Sequence, residues 1–85
     1  MEVTPVPARE IFSEQVCYTS LVFGRVNKKL GTDLTVDEIK QLVQKIIADP
    51  QTSITKNGKN YYLQFQTTEL VINSFNYRLI TANKK

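Results

Sequence analysis

From Ile11 to Leu30 the side chains keep helical time. Phe12, Val16, Thr19, Phe23, Val26 and Leu30 follow at steps of 4, 3, 4, 3 and 4, the rhythm of a stripe along one face of a helix. Ile11 and Val22 widen it. The spacing predicts one helix over 11–30, with Ser13 as its cap after a short turn near Pro7. Lys28 and Lys29 fall in its last turn, where cations suit the helix dipole, and Gly31 stands where a left-handed C′ residue is expected. Gly24 costs about 1 kcal/mol relative to alanine inside a helix, so a close approach by another group is expected there. Cys17 and Leu21 lie off the main stripe, which implies a helix covered on more than one side or one that contributes to a dimer contact.

The second helix is marked by local chemistry. Thr35-Val36-Asp37-Glu38 reads as a capping box, with Leu34 and Ile39 at the positions of a hydrophobic staple. Ile39, Leu42, Val43, Ile46 and Ile47 then form a one-sided apolar face. Asp49-Pro50 ends it, because proline disfavours helical geometry in the residue before it. Lys40, Gln41, Gln44 and Lys45 occupy the opposite face.

Beyond Pro50 the period changes to two. Asn57-Gly58, between two strand-like runs, predicts a tight hairpin. With those residues as a two-residue loop, Lys56 faces Lys59, Thr55 faces Asn60 and Ile54 faces Tyr61. Ile54, Tyr61, Leu63 and Phe65 then share one face, and Ser53, Thr55, Asn60, Tyr62 and Gln64 the other. Gln66-Thr67-Thr68 is a polar connection. Residues 69–81 read either as a second hairpin turning near Ser74-Phe75, with Ile72 opposite Tyr77 and Leu70 opposite Leu79, or as one bent strand. Together these elements predict an α+β domain: two N-terminal helices packed on one face of a C-terminal antiparallel β-meander. The 85 residues are expected to form a single small domain, with residues 1–6 and 83–85 frayed.

Charge changes this picture only locally. The net formal charge is +3, but residues 33–49 carry two basic and four acidic side chains while residues 50–85 carry five basic and one acidic. The basic excess therefore falls on the hairpin segment and the tail. No apolar run is long enough to span a bilayer and no secretory leader is visible, so a cytoplasmic protein without membrane contact is expected.

The chain has no histidine and one cysteine, which removes the commonest general base and metal ligand together. Cys17 is expected to be a buried or half-buried packing residue. The glycines at 24, 31 and 58 form no phosphate-cradling loop, and Asp37 and Glu38, adjacent on a helix, point apart. No catalytic residue, cofactor or metal is implied. The chain reads as a non-enzymatic protein–protein interaction module, with Cys17 and Leu21 suited to a homodimer interface. The alternative is a winged-helix-like DNA-binding protein. On that reading Lys40, Gln41, Gln44 and Lys45 on helix 36–48 approach a groove, and Lys56 and Lys59 on the hairpin 54–63 touch phosphate. Asp37 and Glu38 oppose it, since they would repel phosphate at the helix start.

The segments VCYTSLVFGRVNKKLG at 16–31, KNGKNYYL at 56–63 and INSFNYRLITA at 72–82 resemble a family of short uncharacterised bacterial proteins, a domain of unknown function in Gram-positive bacteria and their relatives. The resemblance covers roughly residues 14 to 82. It implies a bacterial cytoplasmic protein and brings no activity, substrate or catalytic residue with it. Asn27, Lys28, Tyr62, Asn76 and Arg78, polar residues within those segments, form the candidate interaction patch; turn and cap duty is the plain alternative for the asparagines.

Overall fold

The computed structural model describes residues 9–84. In chain order it holds α1 (Arg9–Gln15), α2 (Ser20–Leu30) and α3 (Val36–Ala48), followed by β1 (Ser53–Asn57), β2 (Asn60–Phe65), β3 (Thr68–Asn73) and β4 (Leu79–Lys84). The strands form one antiparallel sheet in the order β1-β2-β3-β4. The architecture is α+β, with the helices covering one face of the meander. The expected turn near Pro7 and the expected fraying of residues 1–6 lie outside the described residues, as does Lys85.

The helical stripe of 11–30 is divided. Val16 to Thr19 leave the helix, and Cys17 instead forms a parallel bridge with Arg78. Its N–H donates to the Tyr77 carbonyl and its own carbonyl accepts the Leu79 N–H, both at 2.9 Å. Val, Tyr and Thr all have modest helix propensity, and here an edge strand supplies the backbone partners that the helix would have supplied. Two expectations are corrected together. Ser13 lies inside α1 and does not cap a helix; its hydroxyl meets Gln44 on α3. Cys17 is exposed, not packed, with its Sγ 3.4 Å from the Asn76 carbonyl.

The other local signals hold. Gly31 ends α2 at φ 68°, donating its N–H to the Asn27 carbonyl. The capping box of α3 is complete: the Glu38 N–H donates to Thr35 Oγ1 at 3.2 Å and the Thr35 N–H to Glu38 Oε1 at 2.9 Å. Thr35→Ala is expected to lose about 1 kcal/mol, read as a thermal midpoint lower by roughly 4–8 °C.

In the first hairpin the faces match the expectation but the register does not. Asn57 pairs with Asn60, Lys56 with Tyr61, Thr55 with Tyr62 and Ile54 with Leu63. The two-residue loop is Gly58-Lys59, because Gly58, at φ 65°, takes the first central position and Lys59 has no positive φ. That is the φ pattern of a II′ turn, which needs glycine at its first central residue only. Sliding a loop of fixed length by one residue shifts every partner by two. Alternation therefore survives: Leu63 is fully buried and Tyr61 nearly so, with Ile54 and Phe65 packed against them.

Residues 69–81 form the second-hairpin alternative. Ile72 pairs with Leu79 and Leu70 with Ala82, across a bulge at Val71/Ile72, rather than with Tyr77 and Leu79. The turn closes with Asn73 N–H on the Arg78 carbonyl and Tyr77 N–H on the Asn73 carbonyl, both 2.9 Å. Residues 83 and 84, expected to fray, pair with Glu69 and Thr68.

Phe12, Val22, Val26, Ile39, Val43, Ile46 and Ile47 from the helices meet Tyr61, Leu63, Leu70, Ile72, Leu79 and Ala82 of the sheet in one core. Within it the Phe12 ring stands edge-on to Tyr61 (centroids 5.0 Å, 88°) and to Tyr77 (5.5 Å, 65°). Burial, and then the neighbouring Tyr77 phenol, raises the Tyr61 pKa above its ordinary 10.0. A raised pKa means the folded chain keeps a proton that the unfolded chain releases. Stability from this group is thus complete below pH 10 and falls as pH climbs toward the raised value. We expect Tyr61→Phe to lose stability less steeply than the parent between about pH 9 and about pH 11 in urea titrations; parallel slopes would contradict this.

Candidate interaction surface

The α3 face named for DNA is partly engaged within the fold. Gln44 is half-buried, with Nε2 donating to the Ser13 carbonyl at 3.1 Å. Lys40 holds its Nζ 5.6 Å from the centre of the Tyr18 ring, itself stacked on Phe23. Gln41 and Lys45 are exposed, as are Lys56 and Lys59 on the hairpin. α1 lies against α3 where Ser13 meets Gln44, and Lys40 is exposed like Gln41 and Lys45.

The five residues of the candidate patch separate. Asn27 serves the chain itself: Oδ1 accepts the Leu34 N–H at 2.8 Å and the Thr32 hydroxyl at 2.9 Å, while Nδ2 donates to the Leu34 carbonyl at 3.0 Å. It ties the end of α2 to the start of α3, which is cap duty. Tyr62 lies on the sheet face away from the helices, between Thr55 and Val71. Asn76 accepts the Arg78 N–H at 3.0 Å within the β3–β4 turn. Lys28 and Arg78 are exposed and belong to one region around α2.

That region is the strongest feature of the surface. Thr19, Leu21, Val22 and Arg25 of the α2 segment face Asn73, Arg78, Leu79 and Ile80 across an open cleft of about 270 Å³. A second depression, lined by Gly24, Arg25, Lys28 and Lys29, continues along the same helix through the shared Arg25. Among the described residues no acidic side chain lines either one. Arg25 donates a long 3.4 Å bond to the Ile80 carbonyl.

Two large apolar side chains stand out by their exposure, one of them beside these cations. Leu21, on the cleft wall, and Phe75, in the turn between Asn73 and Arg78, are each 78 % exposed. Leu21 already stood apart as an off-stripe residue of its helix. Phe75 and Arg25 carried no such mark, although Leu21, Gly24, Arg25 and Lys28 are spaced three and four apart and so share a helix face.

The chain is a member of the family described as Protein of unknown function (DUF3781), which matches residues 11–83. No curated protein and no solved structure matches it. Among the described residues no helix is long and apolar enough to cross a membrane.

Proposed function

We propose that this domain is a non-enzymatic bacterial module of the cytoplasm that binds another protein, through the surface formed by α2 and the β3–β4 turn. The observation that carries the reading is Leu21, 78 % exposed on a cleft wall that Arg25 and Arg78 also line, with Phe75 equally exposed in the turn that leads to Arg78. Aromatic and arginine side chains around an apolar centre are the composition of interface hot spots. A surface built only to hold phosphate gains nothing from exposed leucine and phenylalanine. A sequence without histidine lacks the commonest general base, which supports a binding role over catalysis. The uniform positive charge disfavours pairing of this face with its own copy, so the partner is a different protein.

A photo-crosslinking amino acid at position 21 or 75, expressed in the source cells, tests the proposal. A discrete protein adduct is expected at both positions, absent from position 41 and weakened by Arg25→Glu. No discrete adduct, or an adduct to nucleic acid alone, overturns it.

A further inference from the structure

Resting on the protein-partner reading, we infer that the occupant of this surface is an acidic amphipathic helix that crosses α2 at Gly24. A Cβ built on Gly24 meets no atom within 4 Å, so the close approach expected at this residue does not come from the described residues. Gly24 nonetheless sits inside α2, where glycine is a poor helix former. Its helix face is exposed, with Leu21 one turn before it and Lys28 one turn after. A gap between such ridges is where a ridge of a crossing helix seats, and the smaller the residue in the gap, the closer the two axes come.

The neighbouring backbone argues against a strand as occupant. Strand addition needs free edge groups. At the start of β4, Leu79 N–H is already bonded to Cys17, as is the Tyr77 carbonyl, and the Ile80 carbonyl accepts from Arg25. Charge sets the rest of the partner's chemistry. Arg25, Lys28 and Lys29 line the gap and Arg78 the adjoining cleft, with no acid among the described lining residues, so carboxylates on the incoming helix meet guanidinium forks able to bind them in two-point fashion. Leu21, exposed one turn before Gly24, calls for apolar residues on the same stripe.

The probe is a synthetic alanine-based helical peptide with leucines and glutamates along one stripe, titrated into the isotope-labelled full chain and followed by amide chemical shifts. Its controls carry glutamine or lysine in place of glutamate. The acidic peptide is expected to shift the amides of Leu21, Gly24, Arg25 and Arg78, the glutamine form to bind about tenfold more weakly, and the lysine form not to bind. Gly24→Gln is expected to abolish these shifts while leaving the thermal midpoint equal or higher. The inference is overturned if millimolar acidic peptide leaves those amides unmoved, if the neutral or basic form binds as tightly, or if Gly24→Gln binds normally. Those outcomes leave the protein-binding module standing. A generic duplex DNA that shifts the same amides where the peptide does not overturns both.

Discussion

Phe12→Ala is expected to remove most of the stability of this domain. The phenylalanine is wholly buried and is the largest side chain that α1 inserts between α3 and the sheet. Truncating a core phenylalanine costs about 3–5 kcal/mol through lost transfer energy and the cavity left behind. The two edge-on contacts, with Tyr61 and Tyr77, add about 0.5–1.5 kcal/mol each beyond area. A chain of 85 residues has roughly 5–10 kcal/mol in total. The variant therefore sits near its unfolding midpoint, and urea unfolding should begin without a native baseline. Phe12→Leu, which keeps most of the volume, should retain a cooperative transition. A loss below about 1 kcal/mol for the alanine variant would mean that α1 is not docked as described.

The same substitution reaches the proposed interface. Tyr77 adopts φ 56°, a left-handed backbone that bulky residues rarely hold without surrounding constraint. Its ring is held by Phe12 and its carbonyl by the Cys17 N–H. The turn that carries Phe75 and leads to Arg78 is thus anchored from the core. A milder variant at Phe12 should broaden amide resonances in residues 74–78 before the rest of the sheet.

These couplings also show where sequence reading stops. Elements defined by neighbours in the chain were legible: the Thr35–Glu38 box involves groups three residues apart, Gly31 needs only its own φ, and the alternation of Tyr61, Leu63 and Phe65 needs only the pleat. The break at 16–19 was not legible, because its cause is a backbone bridge to Tyr77 and Leu79, some sixty residues away in the chain. The helical period ran through that break without interruption, since side-chain spacing reports which way residues face and not whether the backbone between them stays helical. The hairpin register failed for a narrower reason. Asn-Gly serves a I′ turn as both central residues, but a II′ turn uses its glycine one place earlier in the loop. The surface was half legible. Lys28 and Arg78 were marked by motif and Leu21 by its place off the stripe, whereas the exposure of Phe75 emerges only in the folded turn.

Arg9→Ala is expected to be the second most damaging change, and no pattern in the chain announces it. The guanidinium at the start of α1 donates to the Asp49 carbonyl at 2.9 Å and the Thr52 carbonyl at 2.8 Å, with longer bonds of 3.5 and 3.4 Å to the carbonyls of Ile47 and Pro50. Those oxygens belong to the last turn of α3 and the connection to β1, which helix geometry leaves without intrahelical donors. They also lie at the negative end of the α3 dipole. One planar cation thereby joins the first helix to the third and to the first strand's entry. Hydrogen bonds to a charged group contribute about 1.5–3 kcal/mol, and the alanine variant should lose an amount in that range. Arg9→Lys should recover less than half, because a single ammonium cannot span the Asp49 and Thr52 carbonyls with a rigid fork. The acceptors are peptide carbonyls that do not titrate, so the loss should stay constant between about pH 4 and about pH 9, whereas a carboxylate partner would make it shrink as acid protonates that partner. Urea midpoints of the three proteins at both pH values decide the matter, and a loss that disappears at the acidic value would assign Arg9 to an ion pair instead.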